Sequence, residues 1–138
     1  MWLFKKKQER LVSYDVVKTI ERYIKTADNN VPFMYIFVRN DLSEAQKIIQ
    51  AGHAIERLTT NSEYDFNTSG HCTPHFALMG VDDEDDLKEV GKFLYDHLVT
   101  FEMFYEPDIN EYTAIATVPL IGKDRLIMSG FKIFRGRV

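Results

Sequence analysis

Four side chains stand in one line along a segment that reads as a helix: Gln46, Gln50, His53 and Arg57, at steps of four, three and four. Residues at those steps share one helical face. Two amides, an imidazole and a guanidinium beside a strand terminus form a wall that could hold and polarise a substrate. The same steps also describe a solvent-facing helix surface, and spacing alone leaves both readings open. Asp108 and Thr113 bracket a turn between two extended runs. Their spacing alone gives no reason to prefer catalysis. Asp after Pro is an ordinary turn residue, and Thr an ordinary strand residue. His71, Cys72 and His75 have zinc-like spacing, but no fourth ligand accompanies them. A Cys72–His nucleophilic pair lacks a third, orienting residue. The five acids Asp82 to Asp86 open a helix. There they complement the positive dipole end, and adjacent helical carboxylates point in different directions, away from any shared metal. Gly80 and Gly91 are isolated, so no glycine-rich phosphate loop exists.

The elements that must position these groups follow from periodicity. Residues 12–27 carry Val12, Val16, Val17, Ile20, Tyr23 and Ile24 at three- and four-residue steps, the stripe of an amphipathic helix that Asp28-Asn29-Asn30 and Pro32 end. Phe33 to Val38 is an unbroken apolar run, the habit of a strand buried on both faces. Asp41 with Glu44 fits a capping box, and the helix it opens runs to about Leu58 with Ala45, Ile48, Ile49, Gly52, Ile55 and Leu58 as its apolar side. Residues 59–74 are a loop. His75 to Val81 is a second strand, and the acids after it open a helix whose stripe is Leu87, Val90, Gly91, Leu94 and Leu98. Val99–Tyr105 and Tyr112–Val118 form a hairpin about Pro107-Asp108-Ile109-Asn110-Glu111. Residues 120–128 hold one or two helical turns, and Phe131 to Phe134 a short edge strand.

Alternating strands and helices give parallel pairs through right-handed crossovers. The expected fold is α/β: a four-stranded mixed sheet with helices on both faces in three layers, plus an N-terminal helix. The expected division is 1–32 as a helical extension and 33–138 as the main domain. Ile36, Val38, Ile48, Ile49, Leu78, Leu94, Leu98 and Ile115 are the expected core. In such sheets ligands bind beyond the carboxyl ends of the parallel strands.

The chain has 138 residues, of which 45% are apolar and 28% charged, an ordinary globular balance that excludes a disordered or collagenous chain. No apolar stretch is long enough to span a membrane, and Met1-Trp2-Leu3-Phe4 is too short for a signal-peptide core. The lone Cys72 excludes a disulfide framework and fits a reducing cytoplasm. Net charge is -4, with +3 in residues 1–10, +4 in residues 119–138 and -11 between them. A polyanion could meet only the two basic ends, which read equally well as solubilising tails.

Two segments carry a family resemblance. Phe37-Val38-Arg39-Asn40-Asp41-Leu42 followed by Gln50-Ala51-Gly52-His53-Ala54 resembles the opening of the type 2 peptidyl-tRNA hydrolases, with their Arg-x-Asp-Leu and Gln-x-x-His-Ala. Tyr105-Glu106-Pro107-Asp108 running into Tyr112-Thr113-Ala114-Ile115-Ala116 resembles that family's Asp-Ala-Gly-x-Thr turn and following strand. The match covers about residues 33–118. The spacing from Arg39 to His53 is about two residues shorter than the family's. The Gly-Lys pair is absent, its lysine falling on Gln46 with Lys47 one step around the helix. The Asp-Ala-Gly turn is rebuilt. These departures resemble a divergent, phage-type branch.

The resemblance implies cleavage of the ester joining a peptide to the tRNA 3′ end, or of a related aminoacyl ester. It implies a catalytic group of Asp108, Thr113, His53 and Gln50. Asp108 would activate water with Thr113 as its hydroxyl partner, and His53, Gln50 and Gln46 would position the ester or terminal adenosine. It implies a substrate-binding group of Arg39, Asp41, Gln46 and Lys47, in which Arg39 and Lys47 take phosphate charge. No metal or organic cofactor is implied. The partner expected is tRNA or another RNA, with no membrane. The alternative is a non-catalytic RNA- or protein-binding module on the same fold, and the N-terminal helix could serve a homodimer or cap the sheet.

Overall fold

A computed structural model describes residues 31–64 and 74–131. Within them the order is β1 (Phe33–Arg39), α1 (Glu44–Asn61), β2 (His75–Val81), α2 (Glu84–Asp96), β3 (Phe101–Glu106), β4 (Glu111–Thr117) and a single turn α3 (Lys123–Leu126). The expected N-terminal helix 12–27, His71, Cys72 and all but the first residue of the expected edge strand 131–134 lie outside the described residues.

The apolar run of β1 forms a central strand, with six of its seven residues buried. The sheet order is β2-β1-β4-β3. β1 pairs parallel with β2 from Phe33↔His75 to Arg39↔Val81, and antiparallel with β4. β3 and β4 form the antiparallel hairpin. This is the four-stranded mixed α/β sheet that the element order implies. Its layers follow from two neighbours of β3. His53 of α1 stacks on Phe104 with ring centroids 4.8 Å apart. Gly91 of α2 lies so close to Met103 that an added Cβ would come within 3.2 Å of its side chain. Neighbouring strand residues point to opposite faces, so α1 and α2 cover opposite sides. On the α2 side, Phe131 packs edge-on against both Phe37 and Phe93, at 5.1 and 5.0 Å.

Caps set the helix starts. The N-cap of α1 is Ser43, whose hydroxyl accepts from the Gln46 N–H. The expected cap, Asp41, instead holds Arg39 at 2.8 Å. Asp83 caps α2 by accepting from the Asp86 N–H at 2.9 Å, which accounts for part of the acidic run.

Half of the expected core is correct: Ile36, Val38, Leu94 and Ile115 are buried. Ile48, Ile49, Leu78 and Leu98 are exposed, Ile48 at 75% and Leu98 at 93%. For Ile48 and Ile49 the cause is a rotation of α1, and Leu78 lies on the edge strand β2, in a groove that α1 leaves open. The buried line of α1 is Lys47, Gln50, Ala54 and Leu58, about one residue, or 100°, away from the Ile48–Ile55 line. Leu98 is the residue beyond the α2 cap, with φ 58°, and this left-handed turn carries it out of the helical stripe.

Candidate functional site

The rotation of α1 brings Gln50 inward, leaving it 2% exposed. A buried amide needs partners for its donors and acceptor. Its Oε1 accepts from the Thr113 hydroxyl at 2.6 Å. Its Nε2 donates to Glu106 Oε2 at 2.9 Å and to Gln46 Oε1 at 3.3 Å. Gln46 and Gln50 are one turn apart on α1, while Glu106 ends β3 and Thr113 stands in β4. The network therefore ties the helix to both strands of the hairpin.

Thr113 reaches Gln50 because the hairpin register slips. Phe104 pairs with Ala114, but the next residue, Tyr105, pairs with Tyr112. Thr113 is left over as a bulge on β4. In an unbroken ladder it would share the α2 face with Ile115, two residues on. The bulge turns it to the α1 face beside Ala114, a common use of bulges. Beyond it, Glu106 opposes Glu111, and the turn 107–110 closes with Asn110 at φ 55°. The Asp108 N–H donates to Glu106 Oε1 at 3.2 Å.

A pocket of about 220 Å³ opens over this network, lined by Leu42, Gln46, Gln50, Glu106, Asp108, Ile109 and Thr113. Four of the expected site residues thus converge: Gln46, Gln50, Asp108 and Thr113. His53 is on the same side of the sheet, one helical turn beyond Gln50 and flat against Phe104, but it does not line the pocket. Arg39, Asp41 and Lys47 do not line it either. Arg39 is a buried clamp: Nε and Nη2 grip Asp41 at 2.9 and 2.8 Å, and Nη1 donates to Glu111 Oε2 and to the Tyr112 carbonyl. These bonds hold its guanidinium charged, and Arg39 in turn holds the Asp41 carboxyl below the usual range. Lys47 pairs with Glu44 at 3.0 Å and lines a different groove. Arg39 and Lys47, the residues expected to take phosphate charge, are thus both paired with carboxylates away from the pocket. Arg57 is exposed, so the four-residue polar stripe divides into a buried Gln50, a half-buried His53 and two exposed ends.

Glu106 is the pocket residue tied into this network that the motifs did not single out. Gln50 and the Asp108 N–H both donate to its carboxylate and hold its pKa below the ordinary value. A strand-terminal acid just before Pro107 was its only signal, and side-chain spacing could not show that it meets Gln50, 56 positions earlier. Among the described residues, no group of three or more His, Cys, Asp or Glu could hold a metal, and no helix is long and apolar enough to cross a membrane.

No protein-family model and no curated protein matches the sequence. Among solved structures, the chain is similar to a protein of unknown function, Atu0240, from Agrobacterium tumefaciens strain C58. The identity is 13% and the TM-score 0.53, over 76% of this chain and 98% of that one. At that identity the likeness speaks for the fold alone.

Proposed function

We propose that the pocket over Gln50 hydrolyses an ester of the peptidyl-tRNA or aminoacyl type. The observation that carries this reading is the buried Thr113–Gln50–Glu106 network beneath a pocket that Asp108 also lines. Both segments that resemble the type 2 peptidyl-tRNA hydrolases contribute to it. In the proposed reaction Asp108 takes a proton from water as the water oxygen attacks the ester carbonyl. The carbonyl oxygen becomes an oxyanion; as it re-forms the carbonyl, the bond to the ribose oxygen breaks, and that oxygen leaves as a hydroxyl carrying the proton that Asp108 took from water. Gln46 accepts from Gln50 through Oε1, which leaves its Nε2 as the donor for the oxyanion. Thr113 and Glu106 fix the Gln50 amide, and Glu106 also fixes the backbone of Asp108.

The second reading is a binding module without catalysis. It is favoured by the pocket lining, which holds two carboxylates and no cation among the described residues. Release of peptide from purified peptidyl-tRNA, measured at several salt concentrations, separates the two. Asp108→Asn should lower the rate by about 10²–10⁴-fold and leave tRNA binding nearly intact. If parent and variant both release peptide at the uncatalysed rate while binding tRNA in a salt-dependent way, the protein is a binding module. If neither binds tRNA at low salt, both readings fail.

A further inference from the structure

The face of the sheet beneath α1 is only partly covered. α1 packs across β4, β3 and β1, while β2 stands at the sheet edge. Between α1 and β2 runs an apolar groove of about 380 Å³. Ile36 forms its floor, Ile48, Ala51 and Ile55 one wall, and Phe76 and Leu78 the other. Ile48 is 75% and Phe76 56% exposed. Contiguous apolar surface of this kind marks a docking site.

We propose that residues 12–27 of the same chain dock in this groove as a helix. Their stripe, Val12, Val16, Val17, Ile20, Tyr23 and Ile24, supplies the apolar face that the groove lacks. The chain also enters the fold at the right place. The Pro32 carbonyl accepts from the His75 N–H at 3.0 Å, so the segment before β1 arrives beside the first residue of β2, at one end of the groove. The connecting residues 28–31 span at most about 14 Å. A helix over 12–27 is about 24 Å long, close to the roughly 23 Å of a seven-residue strand such as β2.

Direction and charge agree with this placement. A helix that ends beside His75 runs back along the groove, antiparallel to β2. Its start then lies near the carboxyl ends of β1 and β2, where Asp41, Glu44, Asp82, Asp83 and Asp85 are exposed. Lys5, Lys6, Lys7 and Arg10 precede the helix directly and so reach this acidic edge.

The test uses the full chain with Cys72→Ser. Ile48→Cys is combined in turn with Val16→Cys, Ile20→Cys or, as the control on the opposite helical face, Lys18→Cys. Mild oxidation should give an intramolecular disulfide with Val16→Cys or Ile20→Cys at a yield at least about fivefold above Lys18→Cys. Mass spectrometry and blocked alkylation report the bond, and size-exclusion elution should stay at the monomer. Equal yields from all three pairs, or no disulfide in any, would overturn the proposal. Cross-links found only between chains would also overturn it, by assigning the groove to a second copy. As an independent readout, Ile20→Asp in the otherwise unaltered chain should increase binding of an apolar dye several-fold over Lys18→Asp. Equal dye binding by the two would count against the docked helix.

Discussion

The Gln50–Thr113 bond offers a quantitative test of the site's geometry that needs no substrate. Thr113 is fully buried and Gln50 is 2% exposed, and their bond is 2.6 Å long. Thr113→Val keeps the side-chain shape and deletes the hydroxyl. The Gln50 carbonyl is then buried without its donor, and such a group costs about 1–3 kcal/mol. Gln50→Leu is the reciprocal change: it strands the Thr113 hydroxyl at a comparable cost. Glu106 also loses a donor there, but its carboxylate can take water instead. In the double variant both ends are apolar, and replacing both partners of a bond is close to neutral. The double variant should therefore be more stable than the sum of the single losses predicts, by about 2–6 kcal/mol if the double change is neutral. Urea unfolding followed by circular dichroism resolves this. With a slope of about 1–3 kcal/mol per molar urea, each single variant should move the midpoint down by the order of 1 M. If the two losses add to within about 0.5 kcal/mol, the pair is not a buried, mutually dependent bond. The reading of the bulge as the device that aims Thr113 at α1 then fails with it.

Two further outcomes are expected. The Asp41 carboxyl is held below its usual range, chiefly by its bond from Arg39. Its contribution is thus fully present above the unfolded value of about 3.9 and is lost as pH falls through the lower folded value. Asp41→Asn should lower the urea midpoint at pH 7, and the gap to the parent should close toward pH 3; a gap that stays constant would refute this. Asp41 keeps 43% of its side chain exposed, so the effect at pH 7 should stay at or below about 1 kcal/mol. Leu98 combines φ 58° with 93% exposure, a conformation that disfavours a β-carbon with no packing to offset it. Leu98→Gly should raise stability by about 0.5–1 kcal/mol, and a lowered melting temperature would argue against the left-handed cap.

What was legible in the sequence was whatever depends on local pattern. The six apolar residues of Phe33–Val38 specify a central strand by themselves. His75–Val81 likewise reads as a strand, although it takes the sheet edge, and the acids after it mark a helix start. The rotation of α1 was not legible, because Lys47 and Gln50 look polar while Ile48 and Ile49 look like core. The helix turns its polar line inward because partners await it there: Thr113 and Glu106 for Gln50, and Phe104 for His53. Those partners lie more than 50 positions away, beyond the reach of a periodicity argument. The bulge at Thr113 was hidden for the same reason. Thr-Ala-Ile-Ala-Thr reads as an even strand, and the slip exists only in the pairing with β3.

The electrostatics of the pocket bear on how an anionic substrate could be received. Glu106 and Asp108 line the pocket, and Arg39 and Lys47 are already engaged by Asp41, Glu111 and Glu44. A phosphate brought to this edge would meet like charge at short range, where screening by salt is weakest. The pocket itself is therefore suited to the neutral part of a substrate, an ester carbonyl or an amide. The two net-basic stretches that could supply cations for a polyanion are residues 1–10 and 119–138, which hold +3 and +4. Under the proposed docking of residues 12–27, Lys5, Lys6 and Lys7 reach the strand-end edge, where α1 also begins. Lys5, Lys6 and Lys7→Gln should then weaken tRNA binding at low salt and flatten its salt dependence. The log–log slope should fall by roughly 0.7 for each phosphate of a single strand that these lysines neutralise. An unchanged slope would mean that they neutralise the acids Asp82, Asp83 and Asp85 and never touch RNA.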